Sequence, residues 1–119
     1  MAADELPDLH PKWKVWFEHD GRYVFGRGAY LLLVAIRDTK SLTHAARRVG
    51  MSYRYAWGII RRVEKELGVS IVETHRGGAV GGGETRITPA GLHLLQAFAA
   101  MEEAFRQTAS RIELISVEE

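Results

Sequence analysis

Two serines and two glycines frame residues 41–68 so closely that the chain between them has little choice of fold. Ser41 precedes Leu42-Thr43-His44-Ala45-Ala46-Arg47-Arg48-Val49. A serine at or beside an N-cap position satisfies the free backbone N–H groups of a first helical turn. Gly50 stops that helix in the left-handed conformation, which costs glycine nothing. Ser52 caps a second helix, Tyr53 to Leu67, and Gly68 closes it. Along it Ala56, Ile60, Val63 and Leu67 recur at spacings of four, three and four, and so define one buried stripe. Two helices joined by so short a turn cross steeply. The small Ala45 and Ala46 suit their closest approach, and Val49, Met51 and Ala56 fill the angle. The spacing predicts a helix-turn-helix over 42–67.

The flanks read as short strands and helices, a mainly α chain with small β elements. Residues 1–12 form a tail. Trp13-Lys14-Val15-Trp16-Phe17-Glu18 and Tyr23-Val24-Phe25-Gly26 are strand-prone runs separated by His19-Asp20-Gly21-Arg22, and Asp-Gly is a strong tight-turn signal. A hairpin over 13–26 follows, whose aromatics serve the core. Tyr30, Leu31, Leu33, Val34 and Ile36 mark a helix over 28–38. Val69 to Thr74 and Glu84 to Thr88 read as strands around Arg76-Gly77-Gly78-Ala79-Val80-Gly81-Gly82-Gly83, a long glycine loop, giving a second hairpin over 71–88. Thr88-Pro89 opens a last helix, over 89–115, with Thr as N-cap and Pro at the first helical position. Gly91, Leu94, Phe98, Met101, Phe105, Thr108, Ile112 and Ile115 fall on alternating spacings of three and four. A stripe about 40 Å long outruns the short elements available to cover it. A second copy of the chain is the simplest cover, with Leu94, Phe98, Met101, Phe105 and Ile112 at the dimer interface.

Charge points to the same central segment. The 119 residues carry a net charge of +1, but residues 37–76 hold nine basic and four acidic side chains, net +5, between acidic ends. Five arginines (47, 48, 54, 61 and 62) lie within sixteen residues. Such a basic segment suits phosphate contact. In helix-turn-helix docking the start of the second helix meets base edges and flanking groups hold phosphates. The expected DNA-binding set is therefore Ser41, Thr43, Ser52, Tyr53, Arg54, Trp57, Gly58, Arg61 and Arg62, with His75, Arg76 and Gly77 at the base of the glycine loop. Arg54 can donate two hydrogen bonds to guanine, and Gly58 lets the backbone come close.

The runs Ser41 to Ser52 and Arg61-Arg62-Val63-Glu64-Lys65-Glu66-Leu67-Gly68 resemble the LysR-type helix-turn-helix. More specific are Ser52-Tyr53-Arg54-Tyr55-Ala56-Trp57 and the glycine run 77–83, with Ile87-Thr88 and Gly91 after them. These resemble the N-terminal domain of ModE-type molybdate-responsive regulators, over residues 13 to 115. The resemblance implies a winged helix-turn-helix fold with 71–88 as the wing, dimerisation through helices at both ends, and action at a palindromic operator. Members of that family continue into a molybdate-binding region, which the residues here do not supply. The expectation is thus a DNA-binding regulator without its own ligand-sensing domain, leaving room for a separate sensor protein as partner.

Other classes fit poorly. The five histidines (10, 19, 44, 75 and 93) match no triad or metal-ligand spacing. The glycine run lacks the Lys-Ser/Thr of a phosphate loop. No enzyme, metal or cofactor is expected. The absence of cysteine excludes a disulfide framework and suits a reducing compartment. No apolar run reaches the ~20 residues of a membrane span, and the acidic start is no signal peptide. The expected location is the cytoplasm, without membrane association. The competing reading is a winged-helix protein-interaction module that works through the C-terminal helix.

Overall fold

Asp20 and Gly21 both take positive φ, 51° and 76°, the backbone of a tight two-residue turn. It folds Phe17–His19 (β1) back on Arg22–Phe25 (β2). In this computed structural model, which describes residues 6–76 and 83–112, the first strand is shorter than the expected run from Trp13. The register slips between Phe17 and Glu18, and β2 ends where Gly26 becomes the N-cap of the next helix. Residues 13–16 are therefore left with no strand to face. They keep an alternation all the same: Trp13, Val15 and Phe17 are half-buried, while Lys14, Trp16 and Glu18 are exposed.

Arg27–Thr39 (α1) extends one residue beyond expectation at each end and buries Ala29, Leu32, Leu33, Ala35 and Ile36. It stops at Lys40, which adopts φ 55° and donates its N–H to the Ile36 carbonyl at 2.7 Å. Leu42–Arg48 (α2) and Tyr53–Leu67 (α3) follow as the caps require. The Ser41 hydroxyl oxygen accepts from His44 N–H and that of Ser52 from Tyr55 N–H, both at 3.1 Å. Gly50 and Gly68 both have φ above 70°. Ala45, Ala46 and Ala56 are fully buried where the two helices meet.

The wing is Val72–Arg76 (β3) against Gly83–Ile87 (β4), antiparallel and in unbroken register from Val72 opposite Ile87 to Arg76 opposite Gly83. Its first strand begins three residues after the expected Val69, because the groups before it are engaged elsewhere. Glu64 accepts from the N–H of Ile71 and Val72 at 2.8 and 3.3 Å. Ser70 and Ile71 give their carbonyls to the hydroxyl and N–H of Thr88, at 2.7 and 3.0 Å. Thr85 N–H donates to the Lys40 carbonyl at 3.0 Å, which ties the wing to the α1–α2 turn. Most of the expected glycine loop, residues 77–82, lies outside the described residues.

Pro89–Ser110 (α4) opens on Thr88, whose hydroxyl accepts from Gly91 N–H at 3.0 Å. It is shorter than the expected 89–115. Its end tightens, with Arg111 and Ile112 N–H reaching carbonyls three residues back, and the hydroxyls of Thr108 and Ser110 also bond to helix carbonyls. Such side-chain competition weakens a helix. Ile115 lies outside the described residues.

The expected interface seam is corrected on α4. Gly91, Leu95 and Phe98 face the chain's own core, and Phe98 is fully buried there. Phe17, Phe25 and Tyr30 surround it, with ring centroids 5.6, 5.5 and 5.2 Å away. Phe98, expected on the interface seam, is thus part of the chain's own core. Leu94 and Met101 pack half-buried against the same core, whereas Phe105 and Ile112 are each 47% exposed. Among the described residues no helix is long and apolar enough to cross a membrane, and no His/Asp/Glu group is set to hold a metal.

Candidate nucleic-acid interface

Two residues along a helix turn through about 200°, so a spacing repeated with an offset of two lands on the opposite face. On α3 the buried set Ala56, Ile60 and Val63 is matched by Arg54, Gly58 and Arg61, which are all exposed. Lys65 continues this outer row one turn on and is exposed too. Sequence reasoning stopped at Arg61 and Arg62 and missed Lys65, although the spacing of four, three and four already pointed to it.

The carboxylates of α3 are engaged within the fold. Glu64 is held by the N–H groups of Ile71 and Val72, and Glu66 is gripped by Arg22, whose Nη2 lies 2.9 Å from Oε2. The Arg22 hydrogen bond, opposed by desolvation and helped by His19, lowers the Glu66 carboxyl to about 2. His19 Nδ1 stands 3.5 Å from the same carboxylate. Elsewhere Arg27, Arg37, Arg48, Arg86 and Arg106 each contact a carboxylate. Among the described residues Arg47, Arg54, Arg61, Arg62 and Lys65 have no such contact. The folded chain thus satisfies the anions of α3 internally and leaves its cations to solvent, an arrangement suited to a polyanion.

Aromatic side chains flank the row. Tyr53 and Trp57 are one turn apart on one side, 55% and 37% exposed, and the Arg61 guanidinium sits 5.6 Å from the Trp57 ring centroid. Tyr55 is on the other side with Arg62 and is 62% exposed. Tyr55 stands outside the expected binding set, although it shares the reading surface with Arg54 and Gly58 and is exposed there. A shallow groove of about 720 Å³ runs between the end of α3 and the turn to β3, lined by Arg61, Arg62 and Lys65 together with Glu64 and Val69.

The remaining expected residues are more dispersed. Ser41 and Ser52 act as helix caps, and each hydroxyl keeps its proton to donate outward. Thr43 is exposed in the first turn of α2. His75 is on β3 with Nε2 3.2 Å from Glu73, Arg76 ends that strand, and Gly77 lies outside the described residues.

Residues 29–92 match the model of bacterial regulatory helix-turn-helix proteins of the lysR family. The molybdenum-pterin-binding protein MopB of Rhodobacter capsulatus is 39% identical over 82 residues, 69% of this chain and 30% of that protein. The molybdenum transport protein ModE of Herbaspirillum seropedicae is 41% identical over 66 residues, 56% of this chain and 24% of that protein. The chain therefore spans less than a third of the length of these relatives. The crystal structure of the BenM DNA-binding domain with benA site 1 DNA aligns at a TM-score of 0.53 and 24% identity, over 71% of this chain and 89% of that one. ArgP from Mycobacterium tuberculosis aligns at 0.53 and 21%, over 73% of this chain and 30% of that one. At these identities the two structures speak for the fold, a winged helix-turn-helix. With more than half of its length matched by the family model, the chain belongs to the bacterial regulatory helix-turn-helix proteins of the lysR family.

Proposed function

We propose that the chain binds duplex DNA sequence-specifically as a homodimer at a palindromic operator, with α3 of each copy in a major groove. The observation that carries this reading is the outer row of α3: Arg54, Arg61 and Lys65, exposed, free of carboxylates and opposite the core. Arg54, near the start of the helix, reads a base edge, with Tyr53 beside it. Arg61, Arg62, Lys65 and Thr43 hold phosphates, and His75, Arg76 and Gly77 carry the wing along the adjacent backbone. Phe105 and Ile112, half exposed in and just after the last turns of α4, are the contact to a second copy, with Met101 at its edge. Two reading helices then stand about one DNA turn, roughly 34 Å, apart.

The relatives' names tie both to molybdenum and MopB to a molybdenum pterin as well. The role assigned to this chain is DNA reading alone, with any effector sensed by a separate protein or region. The test is salt. Binding to duplexes selected from random DNA should weaken steeply between 50 and 200 mM salt, with a log–log slope of about −0.9 per phosphate neutralised. Affinity that stays flat over that range would instead favour a protein-interaction module working through α4.

A further inference from the structure

Gly58 is a glycine that the fold does not use. It lies inside α3, a position where glycine weakens a helix relative to alanine. Its φ is not among the positive values, and a Cβ built on it would meet nothing within 4 Å. By contrast, Gly91 is pressed against the Ile71 carbonyl and Ile87. The clearance at Gly58 therefore serves something outside the chain.

The chemistry of that clearance is apolar. Gly58 sits between Arg54 and Arg61, one turn away on either side, and its floor is the bare Cα, open to solvent. Inside a helix the backbone N–H and C=O groups are committed to the ladder, so the floor offers a polar base-edge atom no partner. The one apolar group that base pairs present in the major groove is the C5 methyl of thymine. We propose that Gly58 seats a thymine methyl, so that the preferred half-site carries a thymine opposite Gly58, between the contacts of Arg54 and Arg61. This rests on the reading that α3 enters the major groove.

The test pairs a protein bump with a DNA hole. Duplexes selected by this chain from random DNA are resynthesised with each thymidine in turn replaced by 2′-deoxyuridine, and binding is measured for the wild type, Gly58→Ala and Arg54→Ala. The alanine variant should melt about 4 °C higher, since it gains helix propensity in open space. It should bind the thymine duplex about tenfold more weakly than the wild type. At one position deoxyuridine should restore its binding, while the wild type loses affinity there. If Gly58→Ala binds thymine duplexes equally or more tightly, or is weakened with no rescue at any position, the methyl seat is overturned. A loss for Arg54→Ala in the same assay would leave the groove reading standing. If Arg54→Ala also binds as the wild type does, that reading falls with it.

Discussion

The Arg22 guanidinium holds the Glu66 carboxylate through two nitrogens, Nη2 at 2.9 Å from Oε2 and Nε on Oε1, and so fastens the β1–β2 hairpin to the last turns of α3. The same contact removes an anion from the surface of the helix whose outer row is cationic.

Glu66 should accordingly show its contribution in a pH series. Its carboxyl titrates at about 2 in the folded chain against an ordinary 4.5. The unfolded chain takes up the proton first as pH falls, so the stabilisation is complete above about pH 4.5 and fades towards pH 2. Glu66→Gln should melt below the wild type at pH 7, and the gap should narrow as the pH drops through this window. Melting curves by circular dichroism check it; a gap that is constant with pH would assign the effect to packing.

Phe98 and Phe105 lie two turns apart on α4 and should behave oppositely. Phe98→Ala empties the centre of the aromatic cluster and should cost about 3–5 kcal/mol in urea unfolding. Phe105→Glu should leave the fold intact and shift the chain from dimer to monomer by sedimentation. A stable dimer after that change would move the interface away from this end of α4.

Arg54 and Lys65 share a row but not a role. Arg54→Ala should cost about 1–3 kcal/mol in DNA binding and relax preference at one base pair. Lys65→Ala should weaken all sequences alike and lower the salt slope by about one. Equal losses on every sequence for both variants would make Arg54 a phosphate contact.

Gly91→Ala should destabilise although it replaces glycine within a helix. The added methyl would run into the Ile71 carbonyl and come to 2.9 Å from Ile87 Cγ2, and that carbonyl already accepts from Thr88. Overpacking of this kind costs about 1–3 kcal/mol, which denaturant unfolding would detect. Gly58→Ala, with open space around it, carries the opposite sign.

Local chemistry was legible in the residues themselves. Ser41, Ser52 and Thr88 announced three helix starts, Gly50 and Gly68 two stops, and Asp20-Gly21 a turn, because each acts on backbone groups within a few positions of itself. The outer row of α3 was readable to Arg61 for the same reason, since helical spacing alone sets which residues share a face. What the sequence could not settle was which neighbour claims a side chain. Phe98 fits an interface stripe by spacing, yet Phe17 and Phe25, some eighty residues away, enclose it. Glu64 and Glu66 look like neutralising charges for α3 until the Ile71 and Val72 N–H groups and Arg22 take them. Those choices belong to the tertiary structure, because burial and pairing depend on what the rest of the chain brings within reach, and spacing carries no information about that.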